Sequence, residues 1–102
     1  MSRREKLESM LVAEPDDVFL HYALATELLK QGEATLAEEK FAQIHAQFPD
    51  YVPAWFRHAQ AAQEQGRTDD ARTIGEQGLA TARRVGDHHA AGEIAGFLDL
   101  LS

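Results

Sequence analysis

The sequence predicts an all-α chain built from stacked helical hairpins, and three observations predict it. An offset of 34 residues pairs Pro15 with Pro49, Asp16 with Asp50, Val18 with Val52, Ala25 with Ala59, Gly32 with Gly66 and Ala37 with Ala71. Apolar residues recur at helical spacing between breaks, and the breaks are glycines and prolines at matching places in each period. A fixed period of this size marks a repeat array, in which each unit leaves one face unburied until a neighbour stacks on it. Such a chain reads as a binding scaffold, and no constellation of residues argues well for chemistry.

The elements follow in order. Over residues 3–13, Leu7, Met10 and Leu11 precede Pro15 by the distances at which Phe41, Ile44 and His45 precede Pro49. This segment therefore reads as the second helix of a hairpin whose first helix is missing. The first full repeat is expected over 16–49. Its first helix carries Val18, Leu20, Leu24, Leu28 and Leu29 on one stripe, with Asp16 and Asp17 placed to cap orphan amides and Lys30 in the last turn. Gly32 supplies the positive φ of the corner. The second helix places Ala34, Ala37, Phe41, Ile44 and Phe48 together before Pro49, which cannot continue it.

The second full repeat, over 50–85, repeats the scheme. Trp55, Phe56, Ala59 and Ala62 precede Gly66, then come Ala71, Ile74, Leu79 and Ala82, and Pro53 fits a first helical turn. Gly86 and Asp87 break the chain, and a capping helix over 87–101 aligns Ala90, Ile94, Phe97, Leu98 and Leu101. The expectation is one domain of two full repeats flanked by a helix at each end.

Composition narrows the function. A chain of 102 residues without cysteine has neither disulfides nor thiolate metal sites, which suits a reducing compartment. The charged N-terminus does not resemble a secretory leader, and no apolar run approaches the length of a membrane span, so a soluble, cytoplasmic protein with no membrane contact is expected. Ten Lys plus Arg against seventeen Asp plus Glu give a net charge of −7, which opposes binding to phosphate backbones. Nucleic acid is excluded as a partner on that ground.

The period and the residues within it resemble the tetratricopeptide repeat family, whose signature runs W-x2-L-G-x2-Y, then A-x3-F, then P. The first repeat offers Leu24, Ala25 at the glycine place, Leu28 at the tyrosine place, Ala37, Phe41 and Pro49, with His21 in the tryptophan place. The second offers Trp55, Ala59, Ala62 and Ala71, while His58, Gly75 and Arg83 replace the leucine, phenylalanine and proline. The resemblance implies an α-α superhelix of tetratricopeptide-like hairpins that binds proteins and has no enzymatic activity or cofactor. The RNA-reading pentatricopeptide repeats are disfavoured by the 34-residue offset and the acidic balance.

The same resemblance implies a concave groove lined by the first helix of each pair, holding a peptide or helix of a partner protein. Its side chains would be Phe19, Tyr22, Ala23, Thr26 and Lys30 from one repeat and Phe56, Arg57, Gln60 and Glu64 from the next. Two aromatics beside Arg57 and Lys30 are residue types enriched at interface hot spots. The alternative is that Tyr22 and Phe56 partly cover the helix pairs as core rim. A subfamily grips chaperone tails with a lysine and asparagines in these helices; here Tyr22, Thr26 and Arg57 occupy those places, so that clamp is absent.

Smaller features complete the reading. Ala25 facing Ala37, and Ala59 facing Ala71, let paired helices approach to about 8–10 Å. Gly75 and Gly78 replace Phe41 and Ile44, leaving a notch that Ile94 and Phe97 are expected to fill. His89 and Glu93 have the i, i+4 spacing of a metal pair, but no third ligand is evident and no metal is assigned. Leu100 falls off the stripe of the last helix, so a homodimer or other self-association through that helix is the second reading of function.

Overall fold

The computed structural model describes residues 1–101. Among them the chain forms six helices and no strand: α1 Arg3–Ala13, α2 Val18–Lys30, α3 Ala34–Gln47, α4 Val52–Glu64, α5 Thr68–Val85 and α6 His88–Asp99. The all-α expectation holds. The helices group into two compact units, one ending at Phe48 and the other starting at Pro49.

In the first unit α2 packs against both α1 and α3. Its first two helices start where the sequence supplies side-chain acceptors for their free amides. Ser2 and Glu5 form a capping box, each side chain accepting from the other's backbone N–H. Asp17, not Asp16, caps α2: its Oδ1 accepts from the N–H groups of Phe19 and Leu20 at 3.0 and 3.3 Å. The α2–α3 corner turns at Gly32, whose φ of +79° is a left-handed geometry that glycine adopts without strain. There the amide of Glu33 reaches the carbonyl of Leu28 at 2.9 Å and that of Gly32 reaches Leu29 at 3.1 Å, closing the helix end.

The core of this unit holds Leu7, Leu20, Leu24, Leu28, Phe41 and Ile44, with Ala25 and Ala37 fully buried. Small side chains at those two alanines let α2 and α3 lie close, and burial of the surrounding leucines and Phe41 supplies about 1.5–3 kcal/mol per large apolar side chain.

The second unit repeats the hairpin and adds a helix. The α4–α5 corner at Gly66 makes the same pair of bonds, Arg67 to Ala62 at 3.0 Å and Gly66 to Gln63 at 2.9 Å. Pro53 sits in the first turn of α4, where its missing N–H costs nothing. The α5–α6 corner at Gly86 closes in the same way, and Asp87 Oδ1 caps α6 through the amide of Ala90. α6 packs on α5 and α4. Ile94 is fully buried with Val52 and Ala82, and Leu101 joins Ala62 and Ala71 in an adjoining cluster. Arg72 fastens the chain there by donating from Nη2 to the carbonyl of Leu101 at 2.9 Å.

The notch in α5 is filled differently from expectation. A β-carbon on Gly75 would stand 2.8 Å from Leu98 Cδ2, and one on Gly78 would stand 2.8 Å from Trp55 Cβ and 3.5 Å from Ile94 Cδ1. Leu98 thus fills the space beside Gly75, Ile94 lies at Gly78, and Phe97 turns to Phe56. The reason is helical spacing: Ile94 and Leu98 stand one turn apart and face the two glycines as a pair, while Phe97 points off that line.

Candidate functional site

The sequence-predicted site residues lie on the first helix of each hairpin, α2 in one unit and α4 in the other. On α2, Phe19 in the first turn is 64% exposed, an unusual position for a large apolar ring. Tyr22, one turn on, is half-buried, with its ring centroid 6.3 Å from that of Phe41 on α3. Ala23 is buried. Thr26 is half-buried and donates from Oγ1 to the carbonyl of Ala23 at 2.9 Å, which spends its hydroxyl proton inside the helix. Lys30 is exposed in the last turn. The strip of α2 therefore grades from an open aromatic ring at its start to an exposed ammonium at its end.

On α4 the aromatic residue is engaged within its own unit. Phe56 packs edge-on to Phe97 of α6 at 5.8 Å between centroids and leans on the cluster of Val52, Ala82 and Ile94. Tyr22 and Phe56, equivalent by the offset, thus meet different surroundings because only α4 has α6 packed beside it in the same unit. Arg57 donates from Nη1 to Glu64 Oε1 at 3.3 Å, two turns along α4. That pair joins two of the expected site residues, and with the carboxylate more than half exposed it contributes about 0–1 kcal/mol. Gln60 is half-buried between them in sequence.

One residue of this strip was missed in the sequence. Gln63 stands seven residues after Phe56 and three after Gln60, on the same side of α4, and its Oε1 is buried without a hydrogen-bond partner among the described residues. The spacing alone carried the signal, and the orphaned oxygen is visible only in three dimensions.

Elsewhere, His89 Nε2 lies 3.4 Å from Glu93 Oε1 on an exposed surface of α6, and no group of three metal-ligating side chains occurs among the described residues. Among those residues no helix is long and apolar enough to cross a membrane.

Comparison with known proteins agrees with this geometry. The family model described as Tetratricopeptide repeat matches residues 28–92. A TPR repeat-containing protein of Pseudomonas aeruginosa is 37% identical over 94 residues, spanning 92% of this chain and 90% of that protein. The solution structure of a tetratricopeptide repeat domain protein from Salinibacter ruber superposes with a TM-score of 0.82 at 32% identity, covering 86% of this chain and 89% of that one. PcrH, solved in complex with the chaperone binding region of PopD, superposes with a TM-score of 0.86 over 96% of this chain and 74% of its own, and at 13% identity it shares the fold alone. With matching hairpins, a matching signature and relatives aligned over most of their length, this chain belongs to the tetratricopeptide repeat family.

Proposed function

We infer that this protein is a non-catalytic adaptor that binds a peptide or helix of another protein through the outward strips of its first helices. The observation that carries the reading is Phe19, an aromatic ring left 64% exposed beside half-buried Tyr22 on the helix face that the family uses for binding. Aromatic side chains supply large contact area at low entropic cost, and rings with this surround are the usual anchors of an interface. Tyr22 and Phe56 are each half-buried against a second ring, Phe41 and Phe97, so the open apolar contact falls to Phe19 with Tyr22 and Phe56 at its rim, while Thr26 and Lys30 on α2 and Arg57, Gln60 and Glu64 on α4 supply polar ones. PcrH, of the same fold, holds a segment of another protein in its solved complex, which supports the class of partner. The acidic balance and the absence of cysteine fit a cytoplasmic protein partner and disfavour nucleic acid.

Partners captured from native lysate test the reading when their affinity is measured against Phe19→Ala and against a Tyr22→Ala, Arg57→Glu double variant. Each is expected to weaken binding by at least about tenfold, as loss of a hot-spot side chain does. Unchanged affinity in both, with helical content preserved, would discard these strips as the binding surface.

A further inference from the structure

We infer that the partner segment presents an arginine beside an apolar residue, the guanidinium pairing with Asp16 at the entry of α2 and the apolar side chain lying on the ring of Phe19. The inference rests on the reading of Phe19 as an anchor of the binding strip. It adds the charge that the partner carries there.

Asp16 and Asp50 hold equivalent places. Each follows the repeated proline and stands directly before the N-cap residue of a first helix, Asp17 for α2 and Tyr51 for α4. In both loops a ring one turn into the helix, His21 or Trp55, reaches back to the proline carbonyl, so the two loops are held alike. In the second unit the carboxylate is occupied. Arg84, in the last turn of α5, donates from Nη2 to Asp50 Oδ1, and Val85 beside it is 45% exposed. This chain therefore shows what the position takes: an arginine followed by an apolar residue. No such arginine serves Asp16. Arg84 stands 34 residues after Asp50, whereas the residue 34 after Asp16 is Asp50, a like charge.

The surroundings of Asp16 favour a cation further. Residues 7–29 contain five carboxylates and no Lys or Arg. Glu8 and Glu27 are paired with Arg4 and Arg3, and Asp17 caps α2. Glu14 and Asp16 remain, both exposed and without an ion-pair partner among the described residues. The pairing of Arg3, in the first turn of α1, with Glu27, late in α2, shows that the two helices run antiparallel. The free carboxylates and Phe19 therefore stand at one end of the pair. An open ring three residues from an unpaired carboxylate suits arginine, whose planar fork meets a carboxylate while its stem covers apolar surface. At such an exposed position the complementary charge acts on selection and encounter more than on raw affinity.

Random decapeptides displayed on phage and selected on the immobilised full chain at low salt test this. The enriched sequences are then made as synthetic peptides, and their affinities are measured by fluorescence anisotropy. The proteins are wild type, Asp16→Arg, Phe19→Ala and Glu39→Arg, the last an exposed site on α3 with the same change of net charge. Asp16 is exposed and Asp17 makes the cap, so circular dichroism should show each variant folded. Enriched peptides are expected to carry an arginine beside an apolar residue, to need Phe19, to lose about fivefold or more in affinity with Asp16→Arg and to ignore Glu39→Arg. Changing the peptide's arginine to glutamate should reverse the order, Asp16→Arg then binding better than wild type. Peptides that need Phe19 and carry no cation, or that ignore Asp16→Arg, overturn this inference and leave the binding strip standing. An equal loss with Glu39→Arg also overturns it, since net charge alone would then be at work. Selection that yields no peptide dependent on Phe19 removes both the inference and the strip.

Discussion

His21 and Trp55 make the same hydrogen bond one repeat apart. His21 Nε2 lies 2.6 Å from the carbonyl oxygen of Pro15, and Trp55 Nε1 donates to that of Pro49 at 2.8 Å. Each side chain reaches six residues back and ties the entry of its first helix to the proline before it. The tryptophan place of the repeat is thus kept by function rather than by residue: a ring with a nitrogen at the right distance.

That equivalence predicts that Trp55→Phe and His21→Phe each cost about 1 kcal/mol or less in urea unfolding, since the freed carbonyl can meet water. Trp55→Ala should cost several times more, because its half-buried ring is lost as well. Equal losses for Trp55→Phe and Trp55→Ala would show that the hydrogen bond, not the ring, holds this corner.

The two glycines of α5 should respond differently to alanine. At Gly78 the new methyl meets Trp55 Cβ at 2.8 Å, an atom fixed to its backbone, so Gly78→Ala is expected to destabilise by about 1–3 kcal/mol. At Gly75 it meets the far end of Leu98, which can rotate, and the gain in helix propensity of about 1 kcal/mol offsets the shift. Thermal melts of both variants check the order, and a Gly75→Ala loss equal to that of Gly78→Ala would contradict it.

Gln63 carries a buried oxygen with no partner among the described residues, and an unmet acceptor costs about 1–3 kcal/mol. Replacing it by the similarly shaped Gln63→Met should leave stability unchanged or raise it by up to about 1 kcal/mol, read from the urea midpoint. A marked loss would mean that the amide makes a bond essential to the hairpin.

Asp50 and Arg84 form an exposed pair whose hydrogen bond holds the Asp50 carboxyl below the usual carboxylate range. A folded-state pKa below the unfolded one means that the pair's contribution is complete above the unfolded pKa and disappears as pH falls through the folded one. Arg84→Ala should return the Asp50 titration, followed by NMR, to the ordinary range. Added salt should move it the same way in the wild type. A midpoint that ignores both would deny the pairing in solution.

Much of the architecture was legible from residues alone, because its causes are local. Gly32 and Gly66 mark corners that need positive φ, Pro49 stops a helix, and the alanines and aromatics recur at one offset because each hairpin solves the same packing problem. The family membership rested on that same set. The fine structure of the site was not legible in this way. Whether Phe56 stands open or lies on Phe97, whether Leu98 or Phe97 fills the place beside Gly75, and whether Arg57 meets Glu64 depend on which side chain a neighbouring helix presents at a given turn. Spacing along the chain determined the helices and their corners, since backbone geometry and capping act over a few residues; contact across helices decided the faces, since burial is a property of what packs from outside.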